Sequence, residues 1–206
     1  AMPDGVTTVP EVLDNYKKMQ SNNSPHIDDI RMDTARMIDE RLSAVVQKKG
    51  KEEAIKLFNL AYLEIKKNVA LHPYDVRYHI QQAQLALNGA RLTNNTQYIL
   101  DARALMEDAI KKSPKRQQLY YILSISHMYL RNYPEAEKAL QQTIDDNPRI
   151  SENWWRLAGV LLEEGKKDEA KKTFEKAEAM GVKFSDPSSA QLRQAVGLPA
   201  MTGGQK

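Results

Sequence analysis

The sequence predicts an all-α chain built as a stack of antiparallel helix pairs, and three observations predict it. Slid against itself by thirty-four residues, the C-terminal half matches: Tyr120 falls on Trp154, Leu123 on Leu157, Ala136 on Ala170, and Leu140 on Phe174. Spacings of three, four and seven put Leu123, Leu130, Leu157 and Leu161 on buried helical stripes. The breaks fall where paired helices must turn. Gly165 sits between the two helices of the last pair, Asn147-Pro148 closes the preceding pair, and Ser151 is a good N-cap for the next helix.

Taken in order, the first helix runs over 27–48 with Met32, Met37, Leu42 and Val45 facing inward. It is followed by one overlong helix, Lys51–Leu71, with Ala54, Phe58 and Ala61 in register. The second pair opens with VRYHIQQAQLALNG, where Ala83 holds the small-residue place, and continues with ILDARALMEDAIKKSP, where Ala102, Met106 and Ala109 match. Pro73 to Pro114 spans forty-one positions rather than thirty-four, and the seven extra residues are assigned to the turn GARLTNNTQ, with Gly89, Asn94 and Asn95 as loop formers. The third and fourth pairs occupy 117–150 and 151–183. Asp186-Pro187 then starts a short helix, SSAQLRQAV, that ends at Gly197 and caps the stack, whose end would otherwise expose an apolar face. The domain organisation expected is a linker over 1–26 with a loose helix near 10–20, a repeat domain over 27–183, the capping helix at 186–197, and a disordered tail over 198–206. In that tail MTGGQ resembles part of an expression tag, and the opening Ala1-Met2 reads as a cloning scar.

The pattern resembles the tetratricopeptide repeat: an aromatic residue, Leu and a small residue on the first helix, then Ala, an aromatic or Leu, and a small residue on the second, then Pro. Over 117–150 those places are held by Tyr120, Leu123, Ser124, Ala136, Leu140, Thr143 and Pro148. Over 151–183 they are held by Trp154, Leu157, Ala158, Ala170, Phe174, Ala177 and Val182. Small residues are needed where two helices cross closely, since a larger side chain overpacks the contact at a cost of about 1 to 3 kcal/mol. The resemblance implies a TPR-like α-solenoid of about four helix pairs plus the capping helix.

Composition narrows the chemistry. The 30 basic and 27 acidic residues interleave to a net charge of +3, a poor footprint for nucleic acid, and the longest apolar run, Leu157 to Leu162, is far short of a membrane span. There is no cysteine, no basic-then-apolar leader, no phosphate loop and no nucleophile elbow. His26, His72, His79 and His127 are scattered, without the i, i+4 pair of a zinc helix, and the acid pairs Asp28-Asp29 and Asp145-Asp146 read as solvated helix ends. The lysine and arginine runs at 111–112, 115–116 and 166–167 read the same way. The expectation is no enzyme, no catalytic residue, no metal and no cofactor.

In the resembled family, the first helix of each pair lines a concave groove, at the second, fifth, sixth, ninth, twelfth and thirteenth places of each unit. Carried over, these are Arg77, Ile80, Gln81, Gln84 and Leu87; then Gln118, Tyr121, Ile122, Ile125, Met128 and Tyr129; then Glu152, Trp155, Arg156 and Leu162. The paired aromatics sharpen the assignment. Tyr120 and Trp154 are needed in the helix-pair core, and their neighbours Tyr121 and Trp155 are rotated about 100° away, toward the groove or against an adjacent helix. Tyr, Trp and Arg dominate interface energetics, so the expected partner-binding set is Arg77, Gln81, Gln84, Tyr121, Ile125, Tyr129, Trp155 and Arg156, receiving a peptide or partner helix. Family members that clamp chaperone C-termini use Lys, Asn and Arg residues at places held here by Ile80, Gln84, Ile122 and Glu152, with only Arg156 kept, which argues against that partner.

HPYDVRYHIQQAQLAL and SPKRQQLYYILSISHMYLRNYPEAEKAL are also similar to the tetratricopeptide tails of bacterial O-antigen ligase or polymerase-like membrane proteins, over about 50–180. That resemblance implies a soluble extracytoplasmic tail, joined to the membrane only through an absent N-terminal portion that holds the catalytic residues, and docking partners or glycan. Without it, the expectation is a cytoplasmic adaptor binding protein or peptide. Neither reading predicts nucleic acid as a partner, and neither predicts an oligomeric state.

Overall fold

The computed structural model describes residues 14, 16, 18 and 25–199, and over 25–199 every regular element is a helix. In chain order these are α1 (Ile27–Lys49), α2 (Lys51–Leu71), α3 (Val76–Thr93), α4 (Gln97–Lys112), α5 (Gln117–Tyr129), α6 (Tyr133–Asp146), α7 (Ser151–Glu163), α8 (Lys167–Ala179) and α9 (Pro187–Ala195). The chain divides into two compact units, Ala1–Leu105 and Met106–Lys206, the division falling within α4. In the first unit α1 packs on α2 and α3, and α2 on α3. In the second, α5 packs on α6, α6 on α7, α7 on α8, and α9 on α7.

The connections explain the register. Three four-residue turns join one pair to the next, each with proline second: His72-Pro73-Tyr74-Asp75, Ser113-Pro114-Lys115-Arg116 and Asn147-Pro148-Arg149-Ile150. Each is closed by the same hydrogen bond, Asp75 N to His72 O at 3.0 Å, Arg116 N to Ser113 O at 3.2 Å, and Ile150 N to Asn147 O at 3.4 Å. Proline fits there because its fixed φ suits the second position of a turn and its missing N–H is not called on. Within pairs the turns are as short. Gly50 alone joins α1 to α2 at φ 92, and the last turn of α7 is closed at Gly165 (φ 90), with Lys166 N bonded to Leu161 O and Gly165 N to Leu162 O. Thirty-four residues earlier Arg131 takes the same left-handed place, at φ 58.

The second helices carry the tightest packing. Ala54, Phe58 and Ala61 on α2, Ala102, Met106 and Ala109 on α4, Ala136, Leu140 and Thr143 on α6, and Ala170, Phe174 and Ala177 on α8 are all fully buried. In the first unit the rings of Phe58 and Tyr62 meet Tyr98 edge-on, and the Tyr62 hydroxyl donates to Asp101 at 3.0 Å.

Four placements differ from the sequence reading. The seven extra residues of the second pair do not form a longer turn: α3 has 18 residues against 13 in α5, and α4 has 16 against 14 in α6. Gly89 is therefore inside α3 and not a loop former. It is required because a Cβ there would stand 2.1 Å from Phe58 Cζ. On α1 the buried stripe is Thr34, Ala35, Ile38 and Leu42, with Met32, Met37 and Val45 at its half-buried margins. In the third pair Leu123 and Leu130 are likewise half-buried, whereas Leu157 and Leu161 in the fourth are buried as expected.

Tyr16 lies in the stretch read as a linker with a loose helix near 10–20; it is helical as that reading has it, but it is also buried, its hydroxyl donating to Glu64 on α2. Glu64 also accepts from Arg31 Nε at 3.3 Å and Lys67 Nζ. Burial would raise its carboxyl, but the hydrogen bonds from Lys67 and Tyr16 and the charges of Lys67 and Arg31 hold it below the ordinary glutamate range. Asp14 and Lys18 are likewise helical, and exposed; the remaining residues of 1–24, and 200–206 with most of the expected tail, lie outside the described residues.

At the other end α9 starts as the sequence predicts, with Asp186 accepting from Ser189 N at 2.8 Å and Pro187 in the first turn. Its Arg193 is buried between Phe174 and Phe184, 5.5 and 5.6 Å from their ring centroids, and is paired with Glu178 at 2.6 Å.

Two substitutions test this packing. Leu157→Ala is expected to cost about 2 to 5 kcal/mol in chemical denaturation, and an unchanged midpoint would contradict the register. Gly89→Ala gains helix propensity worth about 0.8 to 1 kcal/mol, yet it should destabilise on balance, because the added Cβ would stand 2.1 Å from a Phe58 ring that is itself fully buried against Tyr62 and Tyr98. A raised melting temperature would show that the contact is not tight.

Candidate functional site

The second unit assembles the denser part of the expected site on α5 and α7, the first helices of consecutive pairs. Residues 152 and 156 lie one turn apart on α7, so the Arg156 Nε and Nη2 both reach Glu152 Oε1, at 2.9 and 2.7 Å. The same guanidinium lies 4.5 Å from the centroid of the Tyr121 ring on α5 and 4.7 Å from that of Trp155. Both contacts are within the range where a cation is attracted to a ring face. Trp155 and Arg156 are half-buried, so the cluster keeps an open side.

Tyr121 takes the second of the two placements its spacing allowed. It is 8% exposed, and its hydroxyl donates to Asn153 Oδ1 on α7. Asn153 is fully buried and donates in turn to Thr143 O at 2.8 Å and Asn147 O at 3.0 Å, tying α5 and α7 to the end of α6. Burial, with the Glu152 charge adding and Arg156 opposing, pushes the Tyr121 phenol up to about 12, so it stays a neutral donor at physiological pH. Tyr121 is thus a support beneath Arg156 and not a free groove face. Its neighbour Tyr120 is half-buried and donates to Pro114 O at 2.8 Å, as Trp154 Nε1 does to Pro148 O at 2.7 Å.

Ile125 and Tyr129 line a separate pocket of about 310 Å³ together with Met128, Tyr133 and Glu163. Tyr129 is 45% exposed. Glu163 and Tyr133 were not among the residues expected from the sequence. A signal for Glu163 existed, since it stands thirty-four residues after Tyr129 and so in the same place of the next repeat. Tyr133 opens α6, a position that the first-helix pattern does not cover.

Arg77, Gln81 and Gln84 stand on α3 in the first unit. Arg77 is exposed and paired with the N-cap Asp75 at 2.6 Å, Gln81 is buried and Gln84 half-buried. Ile80 and Leu87 are buried in the same helix. A cavity of about 430 Å³ opens between α1 and α3, lined by residues that include Asp39, Leu42, Val46, Asn88 and Arg91. Burial pushes the Asp39 carboxyl up, against the 2.8 Å hydrogen bond from Asn88 Nδ2.

These arrangements can bind a partner through ring faces, a held guanidinium and shallow apolar pockets. Among the described residues no group of three or more His, Cys, Asp or Glu side chains is placed to hold a metal ion, and no helix is long and apolar enough to cross a membrane.

Residues 123–190 match the family model described as tetratricopeptide repeat. No curated protein matches the chain. Among solved structures it is similar to a thermophilic TPR protein of Thermus thermophilus, with 18% identity over 79% of this chain and 97% of that one and a TM-score of 0.56. It is similar to a tetratricopeptide repeat protein of Parabacteroides merdae, with 14% identity over 92% of this chain and 73% of that one and a TM-score of 0.52. It is also similar to MamA of Desulfovibrio magneticus, with 15% identity over 72% of this chain and 96% of that one and a TM-score of 0.50. At these identities the likeness is one of fold: an all-α chain of tetratricopeptide-type helix pairs, with the repeat itself matched over 123–190.

Asn153→Leu removes both carbonyl partners and the acceptor for Tyr121 at a fully buried position. Thr143 O and Asn147 O keep their backbone bonds from Asn147 N and Ile150 N, so the expected loss of stability is about 1 to 3 kcal/mol, for the buried Tyr121 hydroxyl deprived of Asn153, read in urea denaturation, with Arg156 losing its support at the same time. Unchanged stability would mean that the α5–α7 joint does not depend on this amide.

Proposed function

Taking residues 123–190 as tetratricopeptide repeats, we propose that the chain is a non-enzymatic protein-interaction module that receives a peptide or partner helix on the exposed faces of the first helices of its pairs. The observation that carries this reading is the Trp155–Arg156–Tyr121 cluster, in which a half-exposed guanidinium is held in place by two rings and by Glu152. A side chain fixed in that way has little rotamer freedom left to lose on binding, which is how a small contact set acquires affinity. Arg77, Gln81 and Gln84 on α3 are proposed to contribute in the first unit, where Arg77 is the accessible member.

A second reading, favoured by the HPYDVRY and SPKRQ phrases, is the extracytoplasmic tail of an O-antigen ligase or polymerase-like membrane protein, docking partners or glycan. The SPKRQ phrase has a local role here as well, since it forms the α4–α5 turn and its proline carbonyl accepts from Tyr120. The two readings separate on the gene: a run of hydrophobic spans upstream in the same reading frame supports the tail, and its absence supports a free adaptor.

The test of the module is affinity capture from native lysate with the wild-type chain and with Trp155→Ala/Arg156→Ala, followed by mass spectrometry. Proteins retained by the wild type should be lost from the variant while its helical circular dichroism is unchanged. Equal capture by the two would remove these residues from the site.

A further inference from the structure

The pocket beside the Arg156 cluster differs from it in chemistry. Its lining combines two phenol rings, Tyr129 and Tyr133, two flexible or branched apolar side chains, Met128 and Ile125, and one carboxylate, Glu163. Glu163 is the only charged residue of the lining and has no hydrogen-bond or ion-pair partner among the described residues. Arg131, which lies between the two tyrosines in sequence, is held in the left-handed turn and does not line the pocket. The neighbouring Lys166 is engaged with Glu137 and Glu164, each at 2.9 Å.

We infer that this pocket receives a lysine or arginine side chain of the partner segment, and so that the partner is basic at this position. The match is one of charge and shape. A carboxylate without a cation supplies the counter-charge, the negative ring faces of Tyr129 and Tyr133 favour a cation over a neutral head, and Ile125 with Met128 offers apolar surface for the alkyl stem. A volume of about 310 Å³ accommodates one long side chain and is too small for a packed helix face. An acidic side chain meets Glu163 as a like charge, and an aliphatic one leaves that carboxylate desolvated without a partner. The inference rests on reading the second unit as an interaction module and adds to it the chemistry of one anchor.

The test uses single-residue probes on the whole chain: Nα-acetyl-lysine amide, its norleucine counterpart, and Nα-acetyl-glutamate amide, titrated while the Ile and Met methyl resonances are followed by NMR. The lysine probe should shift Ile125 and Met128 saturably, with the norleucine and glutamate probes weaker. Glu163→Gln should weaken the lysine probe about threefold or more, and Tyr129→Leu, which keeps apolar bulk and removes the ring face, should also weaken it. Both positions are solvent-facing, so the fold is retained, and methyl dispersion checks this directly. Equal binding of the glutamate probe, unchanged lysine binding in Glu163→Gln, or no shift with any probe would overturn the assignment. If the lysine probe fails while capture that depends on Trp155 and Arg156 persists, the pocket assignment falls alone. Loss of both would take the interaction reading with it.

Discussion

Close approach of the second helix of each pair to its neighbours is the constraint on which the rest depends. At three places per helix, spaced by four and then three residues, α2, α4, α6 and α8 allow no solvent at all: Ala54, Phe58 and Ala61 repeat as Ala102, Met106 and Ala109, as Ala136, Leu140 and Thr143, and as Ala170, Phe174 and Ala177. The outer two places need small side chains because the partner backbone is near, and the middle one must fill the space between. Thr143 meets the requirement by turning its hydroxyl back to Leu140 O at 2.7 Å, so that even the one polar member has no unmet donor. With these helices held, the first helices are free to differ, and that is where the candidate binding chemistry lies.

This division of labour explains what was legible. Helix number, the bounds of α2, the proline turns and the second-helix triads follow from periodicity and from the conformations of proline and glycine, which are local. The site was legible only in part. Tyr121 and Trp155 occupy equivalent places, yet one is buried and the other half-exposed, because Asn153 and Arg156 of α7 close over Tyr121. That difference depends on which side chain the next helix presents, and no spacing within α5 contains it. Gly89 failed for a related reason. Glycine before a polar stretch reads as a break, whereas here its missing Cβ makes room for the ring of Phe58, thirty-one residues earlier in the sequence but adjacent in space.

The candidate site is therefore layered. Asn153 joins three helices, Tyr121 rests on Asn153, Arg156 rests on Tyr121, and Trp155 flanks Arg156 at the surface. Each outer group is oriented by the one beneath it, so the accessible surface inherits the rigidity of the core. The adjacent pocket of Tyr129, Tyr133 and Glu163 lacks such support and is correspondingly simpler: shape, two ring faces and one charge.

The buried phenol of Tyr16 bears on where the folded part starts. Repeat matching alone would place the first cut just before Ile27, and a shortened chain made to that boundary would strip a hydroxyl donor from Glu64, an acid that is only 6% exposed. Arg31 and Lys67 would remain to neutralise it, but water would enter where the ring had been. Truncation design for this chain should accordingly respect the side chain that arrives from outside the periodic region, since the opening hairpin is finished by a residue that its own periodicity does not count.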